Sequence, residues 1–158
     1  MDTYSIRLMR ASDYQKVRKI DELTQIQYIG KKWNKLTKSE KENNLVTRKN
    51  EFRTNLDTGY CLVAKKDKKE IIGFMLAHEA QLFKGALYIR HIAILPNYQG
   101  KGIGKLFYDK LITIAKKHNV KKIVAYINLD NPKSIKMHEK VGFTLKNRKE
   151  ATYVIQTK

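Results

Sequence analysis

The stretch PNYQGKGIGKLF, Pro96 to Phe107, follows the apolar run YIRHIAIL and precedes the helical pattern GKLFYDKLITIAKKHN. It places Gly100, Gly102 and Gly104, with Lys101 and Lys105, where a strand hands over to a helix. The first turn of a helix leaves about four N–H groups without intrahelical partners. Ser, Thr, Asp or Asn usually covers one of them, yet the entry here is Gln-Gly-Lys-Gly-Ile-Gly. The N–H groups therefore stay open at the positive end of the helix dipole. Glycine permits unusual backbone angles and close approach. The combination suits an anion, most naturally a phosphate or pyrophosphate. The bland alternative is a glycine-rich turn that binds nothing.

Two known phosphate loops fail on spacing. A P-loop requires G-x-x-x-x-G-K-[ST], but Gln99 stands at the first glycine and Leu106 follows Gly104-Lys105. The dinucleotide fingerprint requires G-x-G-x-x-G and an acid ending the next strand. Here the spacing is G-x-G-x-G, and KKIVAYIN ends in Asn128.

Around this loop, the 158 residues fit one domain spanning 1–158 and suffice for a real core. A single cysteine, Cys61, excludes an internal disulfide framework and leans towards a reducing compartment. It lies in the apolar run YCLVA and reads as a small buried hydrophobe. The sequence shows no apolar run of membrane-spanning length and no secretion signal, so no membrane partner and a cytoplasmic location are expected. The 33 basic against 15 acidic residues give +18. Such a field attracts phosphates, nucleic acids and acidic surfaces, or else reflects a solvated lysine coat. The charge is spread along the chain, which disfavours a dedicated nucleic-acid binder.

Periodicity orders the elements. YSIRLMR alternates as a first strand, and a helix capped at Ser12 or Asp13 follows, with Val17, Ile20, Leu23 and Ile26 or Tyr28 inward. Residues 31–53 form a looser helical region anchored by Trp33, Leu36, Leu45 and Phe52, with Ser39 as a cap before Glu42. GYCLVAKK and EIIGFMLAHEAQ are strands joined by a turn at Asp67-Lys68-Lys69, and Gly73 suggests a bulge or a close approach. LFKGA turns again into LYIRHIAIL, apolar enough for cover on both faces. After the glycine loop, Ile103, Phe107, Leu111, Ile114 and Ala115 recur at helical spacing. KKIVAYIN is a buried strand, NPKSIKMHEKVG a helix ending at Gly142, and FTLKNRKEATYVIQTK two closing strands. The fold class expected is mixed α/β (α+β): a mostly antiparallel sheet, helices on both faces, and one βαβ crossover.

IAILPNYQGKGIG resembles the acyl-CoA loop of the GNAT superfamily of N-acyltransferases. NPKSIKMHEKVGF, Asn131 to Phe143, is similar to that family's second signature, EIIGFML to its third strand, and YSIRLMRASDYQKV to its opening strand and helix. The likeness runs in order along nearly the whole chain. It implies a GNAT-like sheet and acetyl-CoA as cosubstrate. It implies that the pantetheine arm pairs with the strand carrying Ile92, Ala93 and Ile94, where that strand splays from the one carrying Ala125 to Asn128. The N–H groups of Gln99, Gly100, Lys101, Gly102, Ile103, Gly104 and Lys105 would hold the pyrophosphate. Asn131 and Ser134 would touch the cofactor, roles compatible with a helix N-cap and a packed helix residue.

The reaction implied is acetyl transfer to a primary amine by direct attack in a ternary complex. A backbone N–H at Ile92 or a neighbour would polarise the thioester. The family often protonates the departing thiolate with a tyrosine; this chain has His138 there, which either takes that role or only lines the cofactor channel. For the base, Glu79 is the carboxylate candidate, with a surface acid as its plain alternative. Tyr88 could order a water. Tyr88 and Arg90 are expected on one face of the central strand and His91 on the other. The acceptor, a peptide or protein N-terminus or a small amine, is not readable, though +18 disfavours polycations. Rival readings are an idle acyl-CoA sensor and a basic nucleic-acid-associated module on the same fold. The family's habits leave a homodimer open.

Overall fold

The structure is a computed structural model that describes residues 2–80, 85–149 and 151–152. The chain divides into two compact units, Met1–Tyr126 and Ile127–Lys158.

The first unit holds a five-stranded sheet in the order β1 (Tyr4–Leu8), β2 (Leu62–Lys66), β3 (Glu70–Glu79), β4 (Ala86–Ile94), β5 (Lys122–Ala125). The first four strands are antiparallel neighbours, and β4 pairs with β5 in parallel through α4 (Ile103–Lys117). Between β1 and β2 come α1 (Tyr14–Ile29), α2 (Lys38–Asn43) and α3 (Lys49–Leu56). The strands form where β-branched and aromatic residues alternate or run together, and Asp67 and Lys68 take positive φ in the β2–β3 turn. On one face, Val17 and Ile20 of α1 and Phe52 of α3 pack on Val63, Phe74, Leu76 and Ala93. The opposite alternation, including Leu62, Met75 and Ala77, is equally buried. α4 packs against the sheet with Ile103, Phe107, Tyr108, Leu111 and Ala115 buried. A mixed, mostly antiparallel sheet with one crossover is the expected class.

Several local expectations change. Asp13 does not cap α1 with its side chain; its carboxylate takes the Arg7 guanidinium at 2.7 and 2.8 Å and the Arg10 N–H at 2.8 Å. Leu23, Ile26 and Tyr28 face outward, and the buried helix position is Asp21 instead. Thr37, not Ser39, caps α2, in a reciprocal box with Glu40. Gly73 is a close approach: a Cβ there would lie 2.8 Å from the Ala93 carbonyl oxygen. β5 is four residues long and only half-buried.

The turn expected at LFKGA falls largely on residues 81–84, outside the described residues.

The second unit contains α5 (Pro132–Val141), with Pro132 at its first position and Gly142 at φ +99° ending it, as the sequence implies. Residues 143–149 carry no strand. The other expected closing strand falls mostly outside the described residues.

Candidate active site

β4 organises the site in the first unit. It pairs with β3 as far as Ile94 opposite Gly73, whereas its ladder with β5 ends at Ile89 opposite Ala125. Arg90 to Ile94 therefore extend past the end of the β5 ladder. That stretch contains Ile92, Ala93 and Ile94, to which the family resemblance assigns the pantetheine arm. Ala93 is buried, and Ile92 and Ile94 are half-buried.

The register also shifts within β4. Leu76 faces His91 and Ala77 faces Ile89, so Arg90 is an extra residue, a β-bulge. The extra residue overturns the simple alternation. Tyr88 and His91 now lie on the same face: Tyr88 packs edge-on against His78 at 5.4 Å, and His91 stacks on Phe74 at 5.7 Å. Burial pushes the Tyr88 hydroxyl pKa up, against the opposing pull of Arg90, so it is a neutral phenol able to order a water. His91 is pushed down by burial, with Asp21 opposing and Arg90 reinforcing.

Beyond β4, Pro96–Tyr98 form a 3-10 turn, and the chain enters α4 through Gly102 at φ +79°, with no side chain capping the helix. Among the described residues, no acceptor takes the N–H groups of Gly100, Lys101, Gly102, Ile103, Gly104 or Lys105. Gln99 departs from the expectation. Its N–H donates to Pro96 O at 3.2 Å, and its side-chain Nε2 donates to Ile94 O at 2.9 Å and Gln27 Oε1 at 3.0 Å. Gln99 thus ties the loop to the end of β4 and leaves the amides after it to face an anion. Gly100 also has positive φ, and nothing lies within 4 Å of a Cβ placed on Gly100 or Gly102. The Lys101 ammonium sits 5.2 Å over the Tyr98 ring, and Lys105 pairs with Asp109 at 2.7 Å. Six consecutive donors, two φ > 0 glycines and open space fit a phosphate-bearing group.

At the other end of the free β4 stretch, a cavity of about 600 Å³ is lined by Glu51, Asn55, Thr58, His78, Glu79 and Arg90, among others. Arg90 Nη2 donates to Glu51 Oε2 at 2.7 Å, and Arg48 also pairs with Glu51. Glu79 lines this cavity from the end of β3, touched at 3.4 Å by the Tyr60 hydroxyl. Sequence reading singled out Glu79 but not Glu51, His78 or Arg90 as its neighbours. Of the lining, Thr54, Asn55 and Thr58 alone fall in one polar run, between Phe52 and Tyr60, and no local signal joins Glu51, His78 and Arg90 to it.

Asp21, which the sequence counts with Glu22, Glu40 and Glu42 among the acids of the acceptor-specificity region, takes a structural place instead. It is fully buried in α1, and its Oδ2 accepts from Val46 N, Thr47 N and Thr47 Oγ1 at 2.7–2.9 Å. Its Oδ1 has no hydrogen-bond partner among the described residues.

In the second unit, Asn131, Ser134 and His138 come together on one side of α5. The Asn131 side chain accepts from Ser134 N at 3.1 Å, the cap the sequence implies. His138 is buried, with its Nδ1 2.7 Å from Ser134 O. A carbonyl only accepts, so Nδ1 carries the hydrogen, and Nε2 holds the lone pair in the neutral ring. Burial pushes the His138 pKa down, more than the Ser134 hydrogen bond lifts it.

Known proteins share this architecture. The structure of the PaiA N-acetyltransferase from Thermoplasma acidophilum, solved in complex with coenzyme A, superposes with a TM-score of 0.79 at 17% identity, covering 93% of each chain. The L-methionine sulfoximine/L-methionine sulfone acetyltransferase of Salmonella typhimurium is 29% identical over 89 residues, 55% of this chain and 52% of the relative. The [ribosomal protein bS18]-alanine N-acetyltransferase of Haemophilus influenzae is 33% identical over 96 residues, 58% of this chain and 60% of the relative. The matches thus span a little over half the length of each of these two curated relatives. The family model described as Acetyltransferase (GNAT) family matches residues 19–143, and the chain belongs to that family.

Proposed function

We propose that the protein is an acetyl-CoA-dependent N-acetyltransferase that acetylates a primary amine by direct attack in a ternary complex. The observation that carries this reading is the uncapped start of α4, where the six N–H groups from Gly100 to Lys105 have no partner among the described residues. Family membership and the coenzyme A complex of a protein with the same fold point the same way, as do two acetyltransferases among the curated relatives.

The cosubstrate supplies a thioester; the chain supplies placement and proton handling. The Gly100–Lys105 amides hold its phosphates, with Lys101 adding charge. Ile92, Ala93 and Ile94 offer backbone groups to the extended arm beyond the β5 ladder. Arg90 lies about 13 Å along the strand from Ile94, four residues at ~3.3 Å each, so the arm leads from the amides towards the bulge and its cavity. The acceptor amine approaches from that cavity. It loses a proton to Glu79, directly or through a water ordered by Tyr88. Its nitrogen lone pair forms the new N–C bond at the carbonyl carbon while a β4 N–H near Ile92 polarises the oxygen. The C–S bond breaks, and the sulfur keeps the electron pair and takes up a proton. Carried over from the family signature, Asn131 and Ser134 contact the cosubstrate and His138 delivers that proton. On forming the N–C bond the nitrogen sheds a second proton, which balances the one His138 takes up before it delivers one to the sulfur.

Thermal shift and calorimetry with acetyl-CoA, CoA and dephospho-CoA test the binding, and free-thiol release with a panel of amines tests turnover. Stabilisation by acetyl-CoA with thiol release is the expected outcome. Stabilisation with no turnover on any amine would favour an acyl-CoA sensor. Stabilisation by DNA but not by acetyl-CoA would replace the reading with a nucleic-acid module. His138→Phe should lower kcat while leaving acetyl-CoA affinity within a few-fold; unchanged kcat would reduce His138 to a channel-lining residue.

A further inference from the structure

We infer that the cavity at the β4 bulge selects an acceptor that carries a carboxylate beside its primary amine. The inference rests on the acetyl-transfer reading and names the substrate class for it. A cavity of about 600 Å³ suits a small molecule. Two of its charged groups have capacity to spare.

The first is Arg90. One nitrogen of its guanidinium, Nη2, meets Glu51; among the described residues its other donors meet no acceptor. Those donors form a planar fork that matches the two oxygens of a carboxylate. Glu51 cannot neutralise this wall of the cavity, because it already serves two cations, Arg48 and Arg90. The local balance there is one anion against two guanidinium groups.

The second is Glu79, exposed at the end of β3, whose carboxylate meets only the long contact from the Tyr60 hydroxyl among the described residues. It offers an anion to an incoming ammonium and is the same group proposed to receive its proton. The cavity therefore has a positive wall at Arg90 and a negative one at Glu79. A molecule with one amine and one carboxylate satisfies both. A polyamine or aminoglycoside would press additional positive charge towards Arg48 and Arg90, a mismatch that disfavours it. An amide in place of the carboxylate forfeits the charge-assisted pair of hydrogen bonds.

The test uses the full chain with acetyl-CoA, a free-thiol readout, and matched acceptors: leucine against leucinamide, phenylalanine against phenylalaninamide, β-alanine against β-alaninamide, with spermidine and kanamycin as polycations. The carboxylate member of at least one pair should exceed its amide by about tenfold or more in kcat/KM. Arg90→Gln should raise KM for that carboxylate by a similar factor, leaving kcat and the amide's KM within a few-fold, and Arg90→Lys should recover part of the loss. A thermal shift with acetyl-CoA confirms that each variant is folded; should Arg90→Gln fail to fold, the matched pairs on the unaltered protein decide alone. Amides that match or beat their acids, polycations that outrun both, or silence from every carboxylate acceptor would overturn the inference while leaving acetyl-CoA binding intact. Loss of acetyl-CoA binding itself would instead remove the reading beneath it.

Discussion

At Gly102 a conformational requirement and the proposed cosubstrate binding fall on one residue. At φ +79° any L side chain is strained, although no atom within 4 Å obstructs a Cβ. Gly102→Leu should therefore cost about 1–2 kcal/mol in urea unfolding and weaken acetyl-CoA binding further still, because the new side chain projects into the open cradle. A variant that loses stability but keeps calorimetric affinity would show that the phosphates sit elsewhere. Asp21 poses the opposite problem, a buried polar side chain with three donors on one oxygen. Asp21→Ala leaves two N–H groups and a hydroxyl without their acceptor, and should destabilise by about 3 kcal/mol or more. Asp21→Asn keeps an accepting oxygen and should cost clearly less in the same denaturation series. The buried imidazoles set a pH limit. His91 and His138 both have pKa values lowered by burial in the fold. As pH falls, the unfolded chain takes up these protons first, near about 6.5. Their contribution is thus fully present above that value and is lost as pH drops towards the folded pKa values. The urea midpoint should fall between about pH 7.5 and about pH 5.5, and His91→Phe should flatten the slope. A midpoint that stays level over that range would contradict it.

At the scale of elements, α2 depends on its cap. Six residues are too few to form a stable helix alone, and Thr37 and Glu40 close both ends of a reciprocal box. Thr37→Ala should lose about 1 kcal/mol, read as a shift in the unfolding midpoint, whereas Ser39→Ala should shift it little. Sequence reading named Ser39 with Glu42, whereas Thr37 stands at the same spacing before Glu40. Arg18 decides between them, because its guanidinium holds Glu42 and leaves Glu40 for the backbone. That tertiary contact was invisible to local pattern reading. The strands β1 to β4 and helix α4 were legible because apolar periodicity reports burial directly, as in Phe107, Leu111 and Ala115. The glycine cradle was legible because it is made of backbone, and glycine spacing records backbone geometry. The bulge at Arg90 was not, since no Gly or Pro marks it and only the pairing with β3 reveals the extra residue. Reading β4 as strict alternation therefore put His91 on the wrong face from Tyr88. The polar cavity was missed for a related reason. Its walls come from α3, the end of β3 and the bulge, segments far apart in the chain that only the sheet brings together.

For the whole molecule, the question is whether a charge of +18 contributes to binding or is a passive coat. Local pairing already consumes part of it: Lys105 is held by Asp109, Arg18 by Glu42, and Arg48 and Arg90 by Glu51. Beside the glycine cradle stand Lys101 and Lys105, the latter paired with Asp109, and five more lysines follow along and beyond α4 as far as Lys122. Acetyl-CoA bears phosphates at both the pyrophosphate and the ribose, so a field of this kind should hold it partly through unscreened charge. Raising NaCl from about 50 mM to about 500 mM shortens the screening length from roughly 14 Å to roughly 4 Å. The calorimetric Kd for acetyl-CoA should then rise several-fold, and the Kd for dephospho-CoA, one phosphate poorer, should rise less. The amides proposed to hold the phosphates would add short-range hydrogen bonds that salt screens weakly, so affinity should fall to a plateau and not vanish. If the two cosubstrates respond identically, the ribose phosphate lies outside the lysine field. If neither responds, the positive charge plays no part in cosubstrate capture, and the open amides of α4 carry the binding alone.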